Sequence, residues 1–301
     1  MFSRLKESLS KKIWVKCWTV GFVKGGLDSV FDKDTLEVEW VKIPRNRWFA
    51  DPFILDVSDN EISLLVEDFA YSEGKGVISL LKINRHNLRI INRKVLLDIP
   101  THLSFPIIIR KNGHVYVYPE NRQNKVLNLY EYNPKEESLA FCMTICDEEM
   151  WDSVIFDKYD EKMLFTANSD DYSLNIYKWD PGEKLYQKWR TIYSDKPDMR
   201  MAGQFFEYKG LYYCPTQDCS RNYGFATIIR NVTIGEGGED ISLKYIKTLY
   251  SPNKRMNLGL HTLNEYKGLV VVDAQGYRFP MITSIITLLS NFKKKLRITN
   301  G

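Results

Sequence analysis

A chain of 301 residues that is 44% hydrophobic and 13% aromatic can bury a large core, which excludes a disordered chain. Its 18 tyrosines, 15 phenylalanines and 7 tryptophans favour strands over helices. The net charge of +4 is unevenly placed: residues 1–18 carry +4 (Arg4, Lys6, Lys11, Lys12 and Lys16 against Glu7), residues 279–301 carry another +4, and the body between them is left at −4, which excludes a nucleic-acid-binding body.

The first stretch, MFSRLKESLSKKIW, is too broken by charge to be the apolar region of a signal peptide. Phe2, Leu5, Leu9 and Ile13 recur among its lysines at helical spacing, so residues 1–18 read as a basic amphipathic segment.

From residue 40 to residue 280 one shape recurs five times: a special residue, a short apolar strand, a tight polar turn and a second apolar strand. The five segments are ADPFILDVSDNEISLLVE from Ala50, SFPIIIRKNGHVYVYPE from Ser104, WDSVIFDKYDEKMLFTA from Trp151, AGQFFEYKGLYYCPT from Ala202 and LHTLNEYKGLVVVDA from Leu260. Aligned on their turns, their second positions are Asp51, Phe105, Asp152, Gly203 and His261, at steps of 54, 47, 51 and 58 residues. Further strands follow, among them GVISLLKINR, VLNLYEYNP, SLNIYKWDP and FATIIRNV, several stopped by Asn-Pro or Asp-Pro turns. About four strands in roughly 50 residues is one blade of a β-propeller. The predicted fold is therefore all-β: a five-bladed propeller over 19–280, with short amphipathic helices at the two ends.

The last segment, 281–301, places Ile282, Ile285, Ile286, Leu289, Phe292 and Leu296 on one helical face, with Lys293, Lys294, Lys295 and Arg297 at its end. A basic amphipathic helix over 282–298 suits an anionic membrane surface or a lipid-linked acceptor; packing beneath the ring or against a partner is the plainer alternative. No run of about 20 apolar residues is long enough to span a bilayer. Five cysteines (Cys17, Cys142, Cys146, Cys214 and Cys219) show no metal-binding pattern with histidine, so they read as free thiols of a reducing cytoplasm.

In a propeller, equivalent positions converge on one axis. Asp51, Asp152 and His261 should then face a common funnel, where two carboxylates suit chemistry at an anomeric carbon. These three are the catalytic candidates. Glu67 and Asp68 end the second strand of the first blade, Glu120 ends that of the second, and Asp218 follows that of the fourth. Arg200 suits a phosphate or carboxylate, and Trp48, Phe105 and Trp151 suit stacking on sugar faces. With Gln204 at the start of the fourth unit, these complete the set of substrate-binding candidates. No metal motif and no Gly-rich phosphate loop is present.

The Asp51-Pro52 opening, Asp152 and His261 resemble the five-bladed propellers of glycoside hydrolase family 43. The resemblance implies that an aspartate opens blades one and three, a glutamate acid opens blade four, and a blade-five histidine lies near the centre. Here the fourth position is Ala202-Gly203-Gln204, so the usual proton donor is missing. A closer resemblance is to the N-terminal propeller of plant glucosamine inositolphosphorylceramide transferases and bacterial relatives. WFADPFIL, LLVEDF, HLSFPIIIR, WDSVIFD, GQFFEYKGLYY and GLHTLNEYKG carry it, over about residues 45–275. It implies a carbohydrate-active propeller; taken with the free thiols, the basic amphipathic ends and the missing blade-four acid, the expectation is an enzyme of glycan or polysaccharide assembly in the cytoplasm or at the inner face of its membrane, foremost a glycosyltransferase using an activated sugar donor on a lipid-linked or polymer acceptor. The alternatives are a family-43-like hydrolase, with its acid supplied by Glu67, Asp68 or Glu120, and a non-catalytic glycan-binding scaffold.

Overall fold

The computed structural model describes residues 15–158, 161–168, 170–235 and 238–279. The amphipathic C-terminal helix expected over 281–301, and residues 1–14 of the N-terminal segment, lie outside the described residues. The chain begins with β1 (Lys16–Val23), the short helix α1 (Gly26–Asp32) and β2 (Val38–Trp40). Blade one follows as β3 (Arg47–Val57), β4 (Glu61–Ala70), β5 (Gly76–Asn84) and β6 (Ile90–Leu97). Blade two is β7 (Ser104–Lys111), β8 (His114–Glu120), β9 (Leu127–Asn133) and β10 (Ser138–Cys146). Blade three is β11 (Val154–Lys158), β12 (Glu161–Ala167), β13 (Leu174–Asp180) and β14 (Leu185–Ile192). Blade four is β15 (Arg200–Met201), β16 (Phe206–Tyr208), β17 (Leu211–Asp218), β18 (Ala226–Ile234) and β19 (Ile241–Leu249).

Blade five joins the two ends of the chain. β20 (Leu263–Tyr266) and β21 (Leu269–Tyr277) are its inner strands, and β1 and β2 complete it from outside in the order β20, β21, β1, β2. β1 starts at Lys16, inside the segment read as 1–18, and pairs antiparallel with β21 from Lys16–Tyr277 to Val23–Val270. The five units of the sequence are thus present; blade four pairs two short strands, β15 and β16, along β17, and the fifth borrows half its strands from the N-terminal part of the chain.

The turns follow from local chemistry. Asn112-Gly113, Lys209-Gly210 and Lys267-Gly268 all take left-handed backbone at both residues, the type I′ geometry that matches strand twist. The inner strands are apolar because both of their faces are covered. Phe53 of blade one meets Phe105 of blade two edge-on at 5.1 Å, and Phe205 of blade four meets Phe156 and Phe165 of blade three at 4.9 and 5.1 Å. Such pairs bind blade to blade.

Candidate functional site

At the end of the ring where the innermost strands begin, a cavity of about 610 Å³ opens. Its wall takes residues from all five blades, including Trp48, Asp51, Glu67, Glu120, Trp151, Arg200 and His261. Seven of the twelve candidates read from sequence therefore meet in one funnel.

The register-equivalent positions share a backbone feature. Asp51, Phe105 and Asp152 have φ of 48°, 46° and 43°, and Gly203 has 151°. In blades one and two the position is the extra residue of a bulge, as the register skips from Ala50 to Phe53 and from Ser104 to Ile107. Left-handed backbone is uncommon for a residue other than glycine and must be held by its surroundings. The holder is a carboxylate of a neighbouring blade in each non-glycine case. Asp273 accepts the Asp51 N–H at 3.1 Å, Asp51 accepts the Phe105 N–H at 3.1 Å, and Glu120 accepts the Asp152 N–H at 2.6 Å. Asp51 thus links blades one and two while lining the funnel.

Blade four departs for a steric reason. A Cβ on Gly203 would lie 2.0 Å from the Leu263 carbonyl oxygen of blade five. The close approach of the two blades leaves no room for an acidic side chain at that register position.

On one side of the funnel, His261 is buried between two carboxylates. Its Nδ1 lies 2.7 Å from Asp273 Oδ2 and its Nε2 lies 3.4 Å from Asp51 Oδ1. Its ring stacks on Trp18 at 3.9 Å and meets Tyr223 edge-on at 5.3 Å. Burial alone would lower the His261 pKa, but Asp273 and Asp51 outweigh it and hold it at about 9. Burial pushes Asp51 up to about 7, even against the neighbouring histidine charge. Thr262 Oγ1 donates to Asp51 Oδ1 at 2.9 Å, and Asp273 Oδ1 accepts the N–H groups of His261 and Thr262 at 3.1 and 3.0 Å. Asp51, His261 and Asp273 bring three ligand-type atoms within 4.8 Å of one another, close enough for a cation. Each ring nitrogen of His261 faces a carboxylate oxygen, so in this arrangement the three side chains form an ion triad.

On the other side stands an arginine. Arg200 Nε donates to Asp152 Oδ2 at 2.5 Å, and Gln217 Nε2 donates to the same oxygen at 2.7 Å. Glu120 Oε2 lies 4.0 Å from the guanidinium. Burial opposes the Arg200 charge, yet Asp152 holds it above even its ordinary range. Burial first, and then the adjacent Asp152 carboxylate, raise Glu120 well above the usual carboxylate range. Glu120 is therefore a carboxyl on the funnel wall whose ionisation is disfavoured. Arg122 lies 3.5 Å over the Trp151 ring, fixing that aromatic plane at the rim.

The remaining candidates are placed elsewhere. Glu67 and Asp68 are consecutive on a strand, so their side chains point to opposite faces. Glu67 faces the funnel and lies 3.1 Å from His102 Nε2. Asp68 turns into blade one, where Arg47 (2.7 Å), Arg93 and Ser79 (2.7 Å) hold it. Phe105 is core. Gln204 lies beneath the funnel, with its side-chain amide bonded to the Ile108 carbonyl of blade two and its N–H to Asn264 of blade five. Asp218 caps a turn by accepting the Ser220 N–H at 2.8 Å. Asp152 sits below the wall and acts on the funnel through Arg200.

Sequence reasoning missed Trp18, Tyr223 and Asp273. A signal for Asp273 was present: an aspartate inside the apolar run VVVDAQ needs buried partners. Trp18 carried no signal, because its strand enters the funnel only through ring closure.

Solved structures share the fold at low identity. A GH43 β-xylosidase/α-arabinofuranosidase from a compost microbial metagenome aligns with a TM-score of 0.52 and 13% identity, over 78% of this chain and 92% of that one. A GH43 enzyme from Xanthomonas citri aligns with a TM-score of 0.53 and 10% identity, over 78% and 89%. Among curated proteins, glucosamine inositolphosphorylceramide transferase 1 of Arabidopsis thaliana is 28% identical over 194 residues, and that of Oryza sativa subsp. japonica 26% over 190. Each match takes in 60% of this chain and 25% of the relative, so the chain spans about a quarter of the length of these proteins. Residues 37–239 match the family described as "Glucosamine inositolphosphorylceramide transferase 1, N-terminal", and the carbohydrate-related propeller described above belongs to that family.

Proposed function

We propose that the funnel binds a sugar and that the protein is a glycosyltransferase using an activated donor on a lipid-linked or polymer acceptor. The observation that carries this reading is the single cavity in which Trp48, Trp151 and Tyr223 surround Asp51, Glu67 and Glu120. Aromatic planes take the apolar faces of a pyranose, while carboxyls bind its hydroxyls. Asp51, with a pKa near 7, is matched to remove a proton from an acceptor hydroxyl at neutral pH. Arg200 supplies a fixed positive charge toward which an anionic leaving group is drawn. The relatives, named glucosamine inositolphosphorylceramide transferases, support a sugar donor and a lipid acceptor.

A second reading, hydrolysis, is favoured by Glu120. Its raised carboxyl lies on the same wall as Asp51, giving an acid and a base to one cavity. Purified protein is to be offered nucleotide-activated hexoses with a glycolipid acceptor, and separately aryl glycosides. Transfer that falls by about 10²–10⁴ in Asp51→Asn, with Tm nearly kept, supports the proposal. Release of aryl alcohol that depends on Glu120 shifts it to a hydrolase. Sugar binding without turnover of either substrate reduces the propeller to a glycan-binding module.

A further inference from the structure

His102 stands where blade one hands over to blade two, between the end of β6 at Leu97 and the start of β7 at Ser104. Its ring is half-buried in the funnel wall. Three bonds fix this corner. The His102 N–H donates to Gln123 Oε1 of blade two at 3.0 Å, the Leu103 N–H donates to the Gly76 carbonyl at 3.0 Å, and the Gly76 N–H donates to His102 Nδ1 at 2.9 Å.

The last of these bonds selects the form of the ring. A ring nitrogen that accepts an N–H uses its lone pair and carries no proton. The proton of the neutral ring is then on Nε2, which lies 3.1 Å from Glu67 Oε1. Burial opposes a charge on this ring, whereas the Glu67 carboxylate favours one and shifts the balance upward. A second proton would nevertheless have to sit on Nδ1, against the Gly76 N–H, so the backbone bond selects the neutral form.

Gly76 makes the meeting possible. It pairs with Phe69 in the β4–β5 ladder, two positions beyond Glu67. A Cβ there would stand 2.5 Å from the Leu103 carbonyl oxygen, 2.8 Å from Glu67 Oε1 and 2.9 Å from His102 Cε1. Glu67 in turn pairs with Ala50 across β3 and β4, which places it beside Asp51. Among the described residues the Glu67 carboxylate has no hydrogen-bond partner other than His102.

We propose that His102 is a positioning residue of the funnel: fixed in its Nε2–H form by the Gly76 backbone, it holds one oxygen of Glu67 and leaves the other to accept a sugar hydroxyl beside Asp51. The ligand rests on the sugar reading of the funnel; the form of the ring and its hold on Glu67 do not.

Two measurements on the full chain separate these parts. Long-range 15N–1H spectra of the histidine rings at pH 7 to 8, with no sugar present, are expected to show His102 with a bare Nδ1 and a protonated Nε2, its signals assigned by their loss in His102→Phe. The Gly76 amide should exchange at least about tenfold faster in His102→Phe and at its usual rate in Glu67→Gln. A reversed or doubly protonated ring, or a Gly76 amide indifferent to His102→Phe, overturns the proposal whatever the funnel binds.

The second measurement uses the donor and acceptor whose transfer is lost in Asp51→Asn, or Kd in place of KM where the sugar binds without turnover. His102→Phe and Glu67→Gln should each raise KM about tenfold with kcat kept within about threefold. The double variant should be no worse than either alone, and His102→Gln, whose amide offers an N–H where Nε2 stood, should recover most of the loss. An unchanged KM in His102→Phe, or losses that add in the double variant, assigns His102 to joining the blades alone and overturns the proposal. If no sugar binds at all, the sugar reading falls and the hydroxyl acceptor with it.

Discussion

The two sides of the funnel solve the same problem with different cations. On the blade-five side His261 sits between Asp273 and Asp51; on the blade-three side Arg200 sits between Asp152 and Glu120. Both cations offset buried carboxylates that would otherwise be costly. An arginine stays charged at every working pH, whereas a histidine releases its proton. The arginine side therefore pairs a fixed charge with one raised carboxyl, Glu120, whereas on the histidine side both the cation and Asp51 titrate. The cause of the raised carboxyl differs accordingly. Glu120 is raised beside a carboxylate that the arginine already occupies, while Asp51 is held to about 7 by the histidine charge.

The sharpest way to break the comparison is to remove the carboxylate that fixes the arginine. Asp152→Ala leaves a buried guanidinium with Glu120 as the carboxyl beside it and the Tyr223 hydroxyl at 3.4 Å. It is expected to cost about 3–5 kcal/mol in urea unfolding. A loss under 1 kcal/mol would mean that the arginine side carries no special charge balance.

The histidine side is tested through pH. The His261 pKa is raised in the folded state, to about 9 from an ordinary 6.5, so the folded protein binds more protons between those values. The stability it contributes is complete below pH 6.5 and is lost as pH rises through 9, by up to about 3 kcal/mol. Tm measured from pH 6 to 10 should fall in the wild type and stay flatter in His261→Gln. Equal slopes would remove the histidine from the account.

The smallest effect is expected outside both clusters. Asp68→Asn disturbs Arg47, Arg93 and Ser79 within blade one and should cost about 1–3 kcal/mol. Turnover measured at a temperature where the variant is folded should be unchanged, because this carboxylate faces away from the cavity. A matching fall for Asp68→Asn and Asp51→Asn would show that the funnel is sensed through stability alone.

Much of this was legible in the sequence because a propeller repeats its geometry. The spacing of the five segments gave the blades and aligned Asp51, Phe105, Asp152, Gly203 and His261. Four of these share positive φ, a backbone property that no residue count reveals. Strand alternation separates Glu67 from Asp68, and Gly203 stands where the approach of Leu263 excludes any side chain. What could not be read is what ring closure creates: β1 lies outside the repeat, so neither its place in blade five nor Trp18 in the funnel follows from spacing. The carboxylate belt from blade to blade was equally hidden, since each link joins residues with no common motif.

The closure by β1 and β21 also sets an order in time. Asp51 is made early, but Asp273 follows 222 residues later, and Thr262 and His261 come from the same late stretch. During synthesis the first four blades can form while the aspartate at their centre still lacks these partners. Contacts of such long sequence separation are the slow ones to form. The funnel is thus finished only by β21, and a chain that stops short of it carries Asp51 without the groups that hold it.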